Sequence, residues 1–133
     1  MRIALAQLDP IVGDVLGNQQ LIMDAAEKAR TDGATLVLTG EMALLGYPPR
    51  DLVLRDGVAA ACERALAEIA KKFPDMTLII GAVRSVDRAG RGLANCLAVC
   101  RGGVIERYYD KRLLPTYDVF DEDRYFRPAR THW

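Results

Sequence analysis

Apolar and polar positions in the first forty residues indicate a helix between two short strands. Residues 2–8 have the length and apolar content of a strand, and Asp, Pro and Gly in the next segment are typical of a loop. Asn18 is expected to cap a helix over residues 19–33, in which apolar residues recur every three or four positions until Gly33 ends it. Residues 34–40 read as a buried strand. The pattern predicts one β-α-β unit.

A second unit of the same kind follows the loop over residues 41–55, in which Pro48 and Pro49 forbid a continuous helix. Residues 57–73 have the strongest helical pattern in the chain. The remaining segments are expected to alternate strands and turns, with strands over 77–86, 93–100 and 104–111 and turns over 87–92 and 101–103. Apolar side chains on both sides of residues 93–100 predict a strand covered on both faces. These elements indicate a layered α/β protein with a mixed sheet.

Composition and charge exclude several classes of protein. With 133 residues, 50% of them hydrophobic and 27% charged, residues 1–133 are expected to form one domain or part of a larger one. The formal net charge of zero gives no electrostatic reason for nucleic acid or an anionic membrane as a partner. No apolar run approaches the roughly 20 residues that span a bilayer, so we expect a cytoplasmic location and no membrane partner.

The positions of the cysteines and of the histidine argue against a catalytic Ser-His-Asp or Cys-His relay within this chain. The cysteines Cys62, Cys96 and Cys100 include no CxxC pair, so neither a disulfide framework nor a metal site is indicated. All three fall among small apolar residues in predicted helix or strand, and we expect them to be buried and structural. His132, the single histidine, lies next to the last residue, which makes a Ser-His-Asp or Cys-His relay improbable.

Two charged residues follow predicted strands, at the positions where catalytic groups of α/β sheets gather. Glu41 comes directly after the second strand, and Lys111 ends the last one. Each taken alone is more often a solvated surface charge. If the sheet brings them together, each shifts the proton affinity of the other and the pair supports acid–base chemistry. We therefore predict that their side chains converge to within a hydrogen bond or one bridging water.

Three segments carry a family resemblance: "RIALAQLDPIVGDVLGN", "GEMALLGYPPRDLVLR" and "YYDKRLLPTYDVFDEDRYF". In this order and spacing, from Met1 to about Pro128, they resemble the amino-terminal amidase domain of glutamine-dependent NAD synthetases, within the nitrilase superfamily. The resemblance implies part of an α-β-β-α sandwich. It departs from the family at Thr39 and Gly40, where an aromatic residue and a proline are common, and at the terminal "ARTHW". Taken alone, "GYPPRDL" could be only a rigid turn.

The resemblance also implies an activity for the intact enzyme. A Glu, a Lys and a Cys hydrolyse glutamine, and the ammonia passes to a synthetase domain that uses ATP to amidate deamido-NAD. Glu41 matches the Glu, Lys111 the Lys, Glu122 an auxiliary glutamate near the lysine, and Tyr117 a tyrosine that lines the glutamine site. The family's cysteine comes tens of residues after the lysine, beyond Trp133. We therefore expect the isolated chain to be inactive and without a cofactor, because ATP and magnesium belong to the synthetase domain.

Two interpretations of the chain remain at this point. The first is an amino-terminal part of a glutamine-dependent NAD synthetase. The second is a non-catalytic module that keeps the first half of the fold for binding or assembly. Half a sandwich leaves apolar faces and a sheet edge uncovered, so we expect a homo-oligomer.

Overall fold

One mixed sheet organises the part of the chain that the computed structural model describes, residues 1–86 and 92–129. The strands lie in the order in which they occur along the chain: β1 (Ile3–Ala6), β2 (Leu36–Thr39), β3 (Thr77–Ser85), β4 (Leu93–Arg101) and β5 (Val104–Asp110). The first three are parallel, and β4 and β5 continue the sheet as an antiparallel hairpin. The helices are α1 (Val15–Thr31) and α2 (Val58–Lys72), with single 3-10 turns at Arg50–Leu54 and Glu122–Arg124. The predicted α/β class with a mixed sheet is confirmed.

Helix α1 begins earlier than the sequence predicts. The carboxylate of Asp14 accepts a hydrogen bond from the Gly17 backbone N–H at 2.9 Å, so Asp14 caps the helix. The prediction that Asn18 is the cap is wrong, because Asn18 is a buried residue in the first turns of the helix. Its amide bonds the main chain of Ile11 and donates to the Leu44 carbonyl at 3.2 Å. Asn18 thus joins α1 to the loop that carries Glu41.

Helix α2 follows its predicted bounds to within one residue at each end. Its buried side includes Cys62, Leu66 and Ile69, and it packs on β3, β4, β5 and α1. Lys71 and Lys72 lie in its last turn, where positive charge stabilises the helix dipole. The two helices contact each other and cover the same face of the sheet, which places the core between helices and sheet.

The opposite face of the sheet is open. On β4, the side chains that face the helices are buried, whereas Leu97 on the other face is 37% exposed. Leu5 on β1 is 71% exposed. The prediction that β4 is covered on both faces is therefore wrong at Leu97, because both helices pack on one side. In the sandwich that the family resemblance implies, a second sheet would pack on this open face.

Two further outcomes concern the ends of elements. The predicted strands over 2–8 and 34–40 shorten to four residues each, at Ile3–Ala6 and Leu36–Thr39. The turn predicted over 87–92 falls outside the described residues except for Gly92. No helix within the described ranges is long and apolar enough to cross a membrane.

Candidate active site

The carboxyl ends of β2 and β5 bring the two predicted side chains together. Strand β5 is antiparallel to β4, which is antiparallel to β3, so β5 runs in the same direction as β2 and ends at the same edge of the sheet. Glu41 lies just past β2, and Lys111 directly follows β5. The Nζ atom of Lys111 lies 2.9 Å from Oε1 of Glu41, although the residues are 70 positions apart. The predicted convergence is confirmed.

Glycine at position 81 allows the Glu41 loop to lie directly on β3. A Cβ atom at Gly81 would stand 2.1 Å from the Gly40 oxygen and 2.6 Å from the Met42 nitrogen. Because glycine has no Cβ atom, the loop can approach closely enough to bond the main chain of β3. The Gly81 N–H donates to Thr39 Oγ1 at 3.0 Å, and the Gly81 carbonyl accepts from the Leu44 N–H at 3.1 Å. The Thr39 hydroxyl, where the family commonly has another residue, thus helps to anchor the strand end that presents Glu41.

Asn95 is a site residue that the sequence analysis missed. It lies on β4 and is only 4% exposed. Its Nδ2 donates to Glu41 Oε1 at 2.5 Å, and its carbonyl accepts from the Lys111 backbone N–H at 2.8 Å. The available signal was an amide in an otherwise apolar strand, since a buried amide requires hydrogen-bond partners. That signal gives no indication of which partner it has.

Glu122 holds Lys111 from the other side. The Glu122 carboxylate is buried, with the residue 4% exposed, and accepts from Lys111 Nζ at 3.0 Å on Oε2 and 3.2 Å on Oε1. It also accepts from the Tyr47 hydroxyl at 2.9 Å. Tyr47 belongs to the "GYPPRDL" segment, which contributes to the family resemblance but taken alone could be only a rigid turn. These contacts satisfy a buried carboxylate that would otherwise be costly to bury.

The electrostatics keep the lysine charged. Burial lowers the pKa of Lys111, but hydrogen bonds and charge from Glu41 and Glu122 outweigh it and leave the pKa above its ordinary value of 10.5. Burial, followed by the bond to Glu122, raises the pKa of Tyr47, so its hydroxyl stays protonated and donates. Lys111 is therefore a cation at neutral pH, held in one cluster between Glu41 and Glu122.

The cluster borders an open concavity of about 610 Å³ on the uncovered face of the sheet. Leu38, Leu97 and Tyr109 line it together with Glu41, Asn95 and Lys111. Tyr117 lines a neighbouring concavity that shares Lys111, is 70% exposed, and packs edge-on against Phe120 at 5.8 Å between ring centroids. The structure thus places Tyr117 beside the cluster, and its role in binding glutamine stays a prediction.

The cysteines do not face this cluster. All three are buried, as predicted. Neighbouring residues of a strand point to opposite faces, so Cys96 points to the helices while Asn95 points to Glu41. The Cys96 thiol donates to the Ala82 carbonyl at 3.5 Å, and burial raises its pKa to about 12. Burial likewise raises the pKa of Cys62 and of Cys100 to about 11. None of these thiols is an activated nucleophile.

Proteins of known function resemble this chain along nearly its whole length. The chain is 43% identical over 132 residues to the glutamine-dependent NAD(+) synthetase of Synechocystis sp., a match that covers 96% of this chain and 24% of that relative. The structure of the glutamine-dependent NAD+ synthetase from Acinetobacter baumannii superposes with a TM-score of 0.91 and 32% identity, over 98% of this chain and 24% of that one. The chain thus spans about a quarter of the length of the curated relatives it matches.

A smaller enzyme shares the same fold. The amidase from Nesterenkonia sp. AN1 superposes with a TM-score of 0.79 and 29% identity, over 98% of this chain and 50% of that amidase, whose active-site cysteine is modified by acrylamide. The family model for carbon-nitrogen hydrolases matches residues 2–132. With the family model covering nearly its whole length, the chain belongs to the carbon-nitrogen hydrolase family.

Proposed function

We propose that this chain carries the base and the cation of a site that hydrolyses glutamine in a glutamine-dependent NAD synthetase. The observation that carries the proposal is the contact of Glu41 with Lys111, backed by Glu122, at one edge of the sheet. Similarity along nearly the whole chain to enzymes of that name supports glutamine as the substrate. The ammonia released would serve the amidation of deamido-NAD, with ATP and magnesium acting in the part of the enzyme that this chain does not match.

The contacts support a distinct role for each of these residues. Glu41 faces the concavity and can accept a proton. Lys111 carries three protons on Nζ, of which one is directed to Glu41 and one is shared by the two oxygens of Glu122. The third can stabilise an oxyanion in the concavity. Glu122 itself is buried and fully engaged, so it acts on the position and charge of Lys111 rather than on substrate.

The nucleophile in this proposal is a cysteine outside residues 1–133, and the Nesterenkonia amidase likewise has an active-site cysteine. Glu41 takes the thiol proton, and the thiolate attacks the side-chain amide carbon of glutamine while negative charge moves to the amide oxygen beside Lys111. Breaking of the C–N bond releases ammonia, which takes the proton from Glu41. Water, with Glu41 again as base, then hydrolyses the thioester to glutamate and restores the thiol.

Substrate binding and assembly complete the proposal. Tyr117 lines the neighbouring concavity that also includes Lys111, which supports a contact between Tyr117 and the bound glutamine. The open apolar sheet face, with Leu5 and Leu97 exposed, supports self-association of the chain when nothing else covers that face. We further propose a cytoplasmic location, where the synthetase would find its substrates.

A chimera tests the proposal. Residues 1–128 replace the matching segment of the Synechocystis synthetase, and ammonia release from glutamine is measured. We expect release, and a loss of at least about 100-fold in Glu41→Gln and in Lys111→Met. Glu106→Gln and Lys28→Met, at exposed ion pairs, are the matched controls and should leave release unchanged.

An internal control separates folding from catalysis in this chimera. NAD synthesis from added ammonia bypasses glutamine hydrolysis and should persist in every variant. A chimera that uses added ammonia but releases none from glutamine, or variants as active as the parent, would refute the proposed roles.

A further inference from the structure

We propose that Asn95 is a positioning residue that selects which oxygen of Glu41 acts as the base. The inference rests on the proposed function and adds to it a residue that does not touch the reacting atoms. Asn95 would act through Glu41 and Lys111 together, one through its side chain and the other through its main chain.

The geometry at Glu41 is asymmetric. Both hydrogen bonds that its side chain accepts from the described residues end on Oε1, at 2.5 Å from Asn95 Nδ2 and 2.9 Å from Lys111 Nζ. Two donors engage the lone pairs of Oε1, so Oε2 is the oxygen with acceptor capacity left for a thiol proton. Without the Asn95 donor, rotation of the carboxylate would exchange the two oxygens and lose this distinction.

The main chain of Asn95 fixes the position of Lys111. Its carbonyl accepts from the Lys111 backbone N–H at 2.8 Å, which extends the β4–β5 ladder one position beyond the Cys96–Asp110 pair. The base and the cation therefore take their relative position from one residue of β4. Burial of Asn95 stabilises this arrangement. Leaving the N–H donor of an amide that is only 4% exposed without a partner would cost free energy of folding.

The titratable groups around Glu41 come from β5 and from the segments that follow β2 and β5, and Tyr109, Asp110 and Arg112 line the same concavity. Lys111 lies at the end of β5, Glu122 in the 3-10 turn behind it, and Tyr47 in the loop after β2. None is altered by a substitution at position 95. A change in the pH dependence of such a variant therefore reports on the contact between position 95 and Glu41.

The test uses the chimera, with kcat/KM for glutamine measured across pH. Asn95→Ala should lower kcat/KM by about 10- to 100-fold, the loss expected when a charge-assisted hydrogen bond that orients a base is removed. Asn95→Asp keeps the shape but replaces the donor by an acceptor, so the two carboxyl groups must share a proton. The acid limb of its pH–rate profile should move to higher pH by about one unit or more.

Gln19→Glu is the matched control. Gln19 is another buried amide whose N–H donates to a carboxylate, and its partner is Glu68, at 2.7 Å, rather than Glu41. We expect Gln19→Glu to lower the thermal midpoint and to leave the acid limb in place. Circular dichroism and thermal melting of each variant establish that the comparison is made between folded proteins.

The outcomes separate this inference from the proposed function. A chimera that releases no ammonia from glutamine fails the proposed function. If it is active, an unchanged rate in Asn95→Ala with an unmoved acid limb in Asn95→Asp overturns the role of Asn95. If Asn95→Asp does not fold, Asn95→Ser is used in its place to compare kcat/KM for glutamine. The serine side chain is too short for its hydroxyl to reach Oε1 of Glu41. Loss of folding in all three variants at position 95 while Gln19→Glu folds would assign Asn95 a purely structural role and also overturn the inference.

Discussion

Gly81→Ala is the substitution that most directly tests how the fold presents Glu41. The added Cβ would lie 2.1 Å from the Gly40 oxygen, 2.6 Å from the Met42 nitrogen and 2.9 Å from the Glu41 carbonyl carbon. All three are main-chain atoms, so no change of rotamer relieves the contact. The loop must move off β3.

The magnitude follows from what that movement breaks. Overpacking of this kind costs about 1–3 kcal/mol. Loss of the bonds from Gly81 N–H to Thr39 and from Leu44 N–H to the Gly81 carbonyl costs about 1 kcal/mol each. Alanine also lowers the conformational entropy of the unfolded chain, which stabilises the folded state by about 0.4–1 kcal/mol. We expect a net loss of about 3 kcal/mol in the free energy of unfolding.

Urea unfolding of the chain, followed by circular dichroism, measures this loss. With a slope of about 1–3 kcal/mol per molar urea, the midpoint should fall by about 1–3 M. Gly40→Ala is the matched control, since nothing lies within 4 Å of a Cβ atom at Gly40, and it should change stability by less than about 1 kcal/mol. Equal midpoints for the two variants would show that the loop is not pressed against β3.

Three further predictions concern the thiols, the isolated chain and the end of β5. A thiol-specific reagent at neutral pH should label none of the cysteines until the chain is unfolded, because burial raises the pKa of each thiol; prompt labelling of native Cys96 would be inconsistent with its burial. The isolated chain should release no ammonia from glutamine, since Glu41 and Lys111 have no thiolate to assist, and turnover that disappears in Cys96→Ala would contradict this. Asp110→Asn should lower the free energy of unfolding by about 1–3 kcal/mol, because it weakens the two hydrogen bonds from Arg84, at 2.9 and 2.7 Å. Glu106→Gln, at an exposed ion pair, is the control and should cost less than about 0.5 kcal/mol. Similar urea midpoints for the two variants would argue against a stabilising Arg84–Asp110 pair.

Sequence reasoning located the base and the cation but not the residues that hold them. Glu41 and Lys111 could be predicted because both follow strands, and parallel strands end at one edge of a sheet. Asn95 and Tyr47 could not, because their partners lie 54 and 75 residues away and a single polar residue carries no sign of such a contact. The helix cap was assigned to Asn18 rather than Asp14 because both residue types cap helices equally well.

The open face of the sheet was missed for a related reason. An apolar strand in an α/β protein is usually covered on both sides, and nothing in the alternation along β4 shows that both helices pack on one of them. The coverage of that face depends on what the rest of a sandwich would supply. Local pattern therefore predicts the elements of this fold better than the layers they form.

The central claim is that this chain by itself assembles Glu41, Lys111 and Glu122 into one charged cluster, and the titration of Lys111 tests it most directly. Side-chain NMR with labelled lysine follows Lys28, Lys71, Lys72 and Lys111 as the pH is raised. We predict that the pKa of Lys111 lies above its ordinary value of 10.5. Each of the single variants Glu41→Gln and Glu122→Gln should lower this pKa, because each carboxylate favours the charged amine. A Lys111 that titrates at its ordinary value and does not respond to either substitution would contradict the account.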